Sequence, residues 1–418
     1  MKKVDLIITD VAELVTVRGY SDKPCSGAGQ MNNLGIITNG AIAIHKGIII
    51  EVGFSKDVAK RYRASKTIKA TDNVVTPGLI DPHTHPVFAG DRALEFEMRI
   101  KGATYQEISA AGGGIRSTVR NTRAATKAEL KLNARRYLNN FISHGTTTIE
   151  AKSGYGLNLS DEIKILEVIN DLNKGKDLPA MVPTFLGAHD IPPEYKDDKA
   201  GYVKYLKEKM IPEVSRRHLA EFCDIFCEKG VFEINETRDI LMTAHRYGFK
   251  LKLHADEFAP LGGAELAAEL GAVSADHLMA ISDNGIKAMK DKGVIGVILP
   301  GTTFALGLKN YAPARKMVDA GLPIALATDF NPGTSMTESM PMIMTIACTL
   351  MKLTPAEVLV AATINAAYAI EKQKKVGSLE EGKDADIVIW NAPSYRHIPY
   401  HWGVNLAKVV IKKGKMVV

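Results

Sequence analysis

Two histidines separated by one threonine, His83 and His85 in "GLIDPHTHP" (78–86), end an apolar, strand-like run. In extended backbone, positions i and i+2 point the same way. Two neutral imidazoles side by side can hold one cation. An isolated pair of this kind is more often polar punctuation at a strand-to-loop junction, so its meaning depends on further ligands at comparable positions. The chain has them: His254 closes "FKLKLH", His277 closes "AVSADH" and Asp329 closes "PIALATD". Imidazoles with a carboxylate suit zinc, with iron as the alternative. An ion left open to solvent there lowers the pKa of a water it binds to about 7. Glu257, three residues past His254 in "HADEF", is placed to accept and relay that water's proton.

These residues need a scaffold that converges them. Apolar strand-like runs end near His85, Lys152, Gly187, Glu228, His254, His277, Pro300 and Asp329. Helical patterns lie between them. "TKAELKLNARRYLNNFISHG" opens on a capping box, Thr126 with Glu129, aligns Leu130, Ala134, Leu138 and Phe141, and closes at Gly145. "TPAEVLVAATINAAYAIE" repeats the device with Thr354, Pro355 and Glu357. Eight strands alternating with helices predict an α/β fold, a (β/α)8 TIM-like barrel whose strand ends share one mouth. An open doubly wound sheet is the competitor, but it does not naturally converge strands one, five, six and eight. Residues 1–70 read as short strands ("VDLIIT", "LVTV", "GAIAIHKGIIIEVG"), and similar material returns in "VGSLEEGKDADIVIW" and "AKVVIKKGKMVV".

The gap between His85 and the strand at 146 is about twice a normal βα unit, and predicts a substrate loop or lid over the mouth. Its "GGGIRST" lacks the preceding strand and the Lys-Ser/Thr pair of a phosphate-binding loop, and reads as loop glycines.

Hydrophobic residues at 46% and charged residues at 24% are ordinary for a soluble globular chain. The net charge of +6 is dispersed, without a run of five basic residues, so no nucleic-acid or membrane partner is expected. A small anionic substrate suits the mildly basic balance. Asp5, Asp10 and Glu13 spoil the N-terminus as a signal peptide, and "PMIMTIACTLM" is too short to span a bilayer. Four cysteines without a secretion signal point to the cytoplasm. Cys223 and Cys227 share a strand face and read as packing residues, since no second pair completes a metal site.

"PGLIDPHTH", "HADE", "ADH" and "ATD", between split strand segments, resemble the amidohydrolase superfamily over essentially the whole chain. The resemblance implies a metal-dependent hydrolase of cyclic amides, amines or esters, with a small β-sandwich built from both chain ends. The boundaries expected are 1–72 with 377–418 for the composite sandwich and 73–376 for the barrel. It implies His83, His85, His254 and Asp329 as ligands of one divalent or trivalent metal per chain, with His277 a catalyst beside them. Many members bridge two metals with a modified lysine on strand four. Here Lys229 lies beyond Glu228, and a single metal is expected.

"VFAGDRALEFEMRIKGATYQEI", "GGGIRSTV", "EAKSGYGL", "TFLGAHDIP", "LHADEF" and "ATDFNPGT" resemble one branch of that superfamily. Its members hydrolyse the lactam bond of 4-imidazolone-5-propanoate to N-formimidoyl-L-glutamate in histidine degradation. On this reading Glu257, His277 and Asp329 are catalytic. Arg92, Tyr155, His189, Glu257, Asn331, Gly333 and Thr334 bind the substrate, with Arg92 the guanidinium for its propionate. The alternatives are a superfamily deaminase acting on a small nitrogen heterocycle, recognised by ammonia release, and a non-catalytic barrel that binds no metal. A homodimer is the expected assembly.

Overall fold

The computed structural model describes residues 1–103, 107 and 112–418. Eight strands pair in chain order, every neighbour parallel: Leu79–Asp81, Thr146–Lys152, Ala180–Ala188, Phe222–Cys227, Lys250–Ala255, Ser274–His277, Ile295–Ile298 and Ile324–Leu326. The last returns to the first through a Thr84–Phe330 bridge and the His85 N–H, which donates to Phe330 O at 2.8 Å. This is the (β/α)8 barrel, not the open sheet.

Alternation along each strand sorts the barrel into layers. In Phe222–Cys227, for example, Phe222 and Asp224 point inward while Cys223, Ile225 and Cys227 join the apolar layer beneath the helices. That accounts for both cysteines as packing residues; all four cysteines are unpaired. At the bottom of the barrel Ile80, Val182, Phe222, Ile295, Val297 and Ala325 form an apolar plug. Above it lie Glu150, Lys152, Asp224, Lys252 and Asp276, all fully buried. The histidines stand on this charged layer.

The second sheet draws on both chain ends. Strand Lys2–Val15 pairs with Ile36–His45 along its length, with Tyr62–Lys69 on one half and with Val74–Pro77 on the other. A bulge between Ile8 and Val11, with Asp10 at φ 55°, divides the halves. Val74–Pro77 then pairs with Ile387–Trp390, which continues to Ala407–Lys412. Leu6, Ile8, Ile42, Val75, Ile387, Ile389 and Ile411 share one apolar cluster, so the chain ends form the expected sandwich. It meets the barrel at Gly145, whose φ is 89° and where a Cβ would stand 3.1 Å from both Trp390 and Val388. Only glycine satisfies both demands.

Helix Lys127–Ser143 carries the predicted capping box and buries Leu130, Ala134, Leu138 and Phe141. Among the described residues no helix is long and apolar enough to cross a membrane; "PMIMTIACTLM" lies in the packed helix Met340–Met351. Tyr62–Lys69, charged as "YRASKTIK" is, falls among the short strands expected over 1–70. Two local details depart from expectation. The helix starting at Pro355 does not run on to 371. It stops at Ala361 and restarts at Ile364, because the Ala362 carbonyl accepts from Ile80 N–H at 2.9 Å instead of from its own helix. The first barrel strand ends at Asp81, so His83 and His85 lie in an extended continuation and not in the ladder itself.

Within the long first connection, Ala93–Ile100 and Ile115–Ala124 are helical, and Gly114 at φ 78° starts the second. The remainder of the expected lid, 104–106 and 108–111, lies outside the described residues.

Candidate active site

At the mouth, neighbouring imidazole rings crowd together, His83 to His254 at 4.5 Å between centroids, His254 to His277 at 5.1 Å and His85 to His189 at 5.1 Å. Nitrogens and carboxylate oxygens fall into three overlapping triples, each within 4.8 Å: His83–His254–His277, His85–His189–His254 and His83–His85–Asp329. Asp329 Oδ1 lies 3.5 Å from His83 Nε2 and 3.7 Å from His85 Nε2. The backbone works for this placement. His277 has the parity of outward-facing Ala275, but φ values of 75° at His277 and 62° at Leu278 swing its ring into the mouth. Asp329 is left-handed too, at φ 54°. Side chains with a Cβ hold that conformation only where the surroundings enforce it.

The donor set fits a metal ion. His83 Nε2, His85 Nδ1 and His277 Nε2 are buried without a hydrogen-bond partner among the described residues, an arrangement that is costly unless something binds them. Burial drives all three imidazoles well below the ordinary histidine range, so they are neutral and present lone pairs. Lys229 is exposed; it and the buried Cys223 and Cys227 lie outside the three triples.

The layer beneath orients the rings. His83 Nδ1 is 2.6 Å from Asp276 Oδ2, and His254 Nδ1 is 3.1 Å from Asp224 Oδ2 without the alignment of a hydrogen bond. Lys152 Nζ donates to Asp224 Oδ2 at 2.6 Å and to Glu150 Oε1 at 2.7 Å. Burial alone would depress the Lys152 ammonium, but the carboxylates of Asp224, Glu150 and Asp276 raise it above the usual lysine range. In the sequence Lys152 marks only a strand end, and Glu150, Asp224 and Asp276 are not among the candidate site residues. Their signal is a charge flanked by apolar neighbours in "IEAK", "CDIF", "KLKL" and "SADH".

A cavity of about 460 Å³ opens above the histidines. It is lined by His85, Arg92, Tyr155, His189, His254, Glu257, His277, Asp329, Asn331 and Thr334, with apolar walls from Phe226, Val231 and Leu306. His83 lies fully buried below it. Gly333 adjoins it, packed so closely under the Arg92 guanidinium that a Cβ there would overlap Nη1. The candidate residues are thus brought together, and Arg99 lines the same cavity. Arg92 also makes the local pairing that competes with a substrate role: Nε donates to Glu95 Oε2 at 2.7 Å, and Glu95 Oε1 accepts from Gly114 N–H at 3.0 Å.

Each loop group is held from behind. Glu162 accepts from the N–H groups of Gly154, Gly156 and Leu157, which fixes the turn carrying Tyr155. Asn331 Oδ1 accepts from Gly333 and Thr334 N–H at 2.8 Å each, an Asx turn. Asp256 accepts from four successive N–H groups, 261–264, and leaves Glu257 facing the cavity. Burial first, then the charges of Asp329 and Glu228, raise the Glu257 carboxyl well above the usual range. Glu257 Oε1 lies 3.5 Å from His277 Nδ1. Burial raises Asp329 to about 6 and lowers His189 to about 3. The cavity therefore holds a protonatable carboxyl, a neutral imidazole and a guanidinium around a ligand cluster, which is equipment for adding water to a polar anionic molecule.

The amidohydrolase family profile matches residues 74–417. The chain is 52% identical over 417 residues to an imidazolonepropionase of Geobacillus thermodenitrificans, covering 99% of this chain and 98% of that one. It is 46% identical to that of Herpetosiphon aurantiacus, covering 100% and 98%. Among solved structures, a zinc-bound adenosine deaminase from Xanthomonas campestris superposes with a TM-score of 0.73 at 18% identity, covering 99% and 93%. A triazine hydrolase variant gives 0.73 at 16%, covering 99% and 94%. These two likenesses speak to the fold alone. The chain belongs to the amidohydrolase family and, within it, to the imidazolonepropionases.

Proposed function

We propose that this chain hydrolyses the lactam bond of 4-imidazolone-5-propanoate, yielding N-formimidoyl-L-glutamate. The observation that carries this reading is one cavity in which the Arg92 guanidinium faces a histidine–aspartate cluster with Glu257 between them. His83, His85, His254 and Asp329 would hold one metal ion, zinc or alternatively iron. When bound, the ion supplies a more acidic water and polarises a carbonyl oxygen.

The remaining steps belong to side chains. Arg92 pairs with the propionate and sets the ring over the cluster. Asp329 orients the attacking water and takes its proton, which passes to Glu257 after Glu257 has given up its own. His277 stabilises charge developing on the carbonyl oxygen. As the C–N bond breaks, the ring nitrogen takes a proton from Glu257, whose environment favours the protonated form. Tyr155 and His189 flank the ring, while Asn331, Gly333 and Thr334 frame the carboxylate end.

The barrel, 73–376, is the catalytic unit and the composite sandwich of 1–72 and 377–418 its support. The unpaired cysteines suit the cytoplasm. We assign a homodimer, supported by the exposed apolar side chains Tyr400, Trp402 and Val404; light scattering giving a monomer mass at micromolar concentration would remove that assignment.

The test of function is loss of imidazolonepropionate absorbance with the product identified by mass. Addition of one water without ammonia is the expected outcome. Ammonia release would make the protein a deaminase, and an inert, metal-free protein would make it a binding barrel.

A further inference from the structure

Burying charges at the centre of a barrel is costly, and replacing such networks by apolar groups is often neutral or stabilising. The layer below the histidines holds three carboxyls, Glu150, Asp224 and Asp276, and two ammoniums, Lys152 and Lys252, none of them exposed. The network is therefore a poor candidate for a stability device, and its geometry singles out one member. Lys152 Nζ contacts Glu150 and Asp224 and lies 3.8 Å from Asp276 Oδ2. Asp276 in turn faces Nδ1 of His83, and Asp224 faces Nδ1 of His254. Lys252 stands at nearly the same distance from Asp276, 3.9 Å, and 3.7 Å from Glu150, but forms no ion pair with Asp224 among the described residues and spends its donors on the carbonyls of Pro82 and Ala369.

We infer that Lys152 is a positioning residue: one buried ammonium anchors Asp224 and Asp276 together, and through them locks His83 and His254 with Nδ1 turned down and Nε2 turned to the ligand cluster. A carboxylate behind an imidazole selects its tautomer and raises its basicity, and losing such a partner weakens metal binding by about 10- to 100-fold. The two ligands, His83 and His254, are far apart in the chain, yet they share one anchor. Lys152 touches neither the cavity nor the reacting atoms. The inference rests on the metal reading of the site and is indifferent to the substrate.

The experiment measures zinc affinity of the metal-free full-length protein by competition with a chromophoric chelator. It also records nitrogen-15 spectra of selectively labelled histidines before zinc is added. Parent protein that binds no zinc refutes the metal reading itself. If the parent binds, Lys152→Met should weaken zinc by about tenfold or more and should replace single tautomers at His83 and His254 by mixtures. Asp276→Asn keeps the shape and an acceptor, and should disturb His83 alone. Should Lys152→Met not fold, as judged by circular dichroism, the Asp224→Asn and Asp276→Asn pair decides. Acting through one ammonium, their combined loss should be smaller than the product of the single losses. Zinc binding within threefold of the parent with unchanged tautomers in a folded Lys152→Met, or strictly multiplicative aspartate variants, overturns the inference.

Discussion

Gly333 offers a way to move Arg92 without removing it. A Cβ at this position would overlap Arg92 Nη1 and stand 2.8 Å from Cζ, where ordinary contact begins at 3.4 Å. In Gly333→Ala the guanidinium must therefore retreat on the order of 1 Å, a displacement that can cost about a hundredfold when it misplaces a substrate-positioning group. The move also strains the Arg92 Nε–Glu95 Oε2 bond of 2.7 Å. The fold should barely notice, because the obstructing atoms end a flexible side chain and Gly333 does not need a left-handed backbone. A loss of about 2 kcal/mol in transition-state binding, roughly thirtyfold in kcat/KM, is expected with metal content unchanged and melting within a degree or two. The control is Arg92→Met. If alanine acts only by pushing Arg92, adding it to Arg92→Met should cost little more, since the two changes share one partner. Steady-state assay of the four proteins gives the cycle. Gly333→Ala with kcat/KM within threefold of the parent would refute the reasoning, because the guanidinium could then shift freely without losing its ligand.

Arg92→Met alone leaves the propionate unpaired at a cost of about 2–5 kcal/mol in kcat/KM, and Arg92→Lys should recover only part; near-normal efficiency in a folded Arg92→Met assigns the carboxylate to another cation, Arg99 first. Glu257→Gln and His277→Asn should each lower kcat by about a hundredfold or more with metal retained, and metal analysis of the His277 variant distinguishes a catalyst from a ligand. Prolonged chelation, or His254→Ala, should abolish activity and leave less than one metal per chain; an active, metal-free protein by elemental analysis would end the metal reading.

Much of this architecture is visible in the chain because apolar strands end on chemistry. His254, His277 and Asp329 each close a run of alternating residues, and counting such runs recovers all eight barrel strands. Capping boxes at Thr126 and Thr354 recover helix starts for the same local reason. What escaped reading depends on distant partners. The break after Ala361 is made by Ile80, from another part of the barrel. The turn of His277 toward the mouth is a backbone event that no periodicity encodes. The Lys152 anchor joins strands two, four and six, and its members look like ordinary polar alternation until the barrel closes around them.

The small sandwich carries a consequence for the order in which the molecule matures. Trp390 Nε1 donates to Thr76 Oγ1 at 2.8 Å across 314 residues, and Val75 pairs with Ile389. Strands Val74–Pro77 and Ile387–Trp390 thus bracket the entire barrel. As the chain leaves the ribosome, the edge of Val74–Pro77 has no partner until nearly every barrel residue has been made. Closing so long a loop is slow, and an open strand edge invites pairing with other chains meanwhile. Completing the sandwich must therefore await synthesis of Ile387–Trp390, and until then the waiting edge is a place where the nascent protein needs shelter from its neighbours.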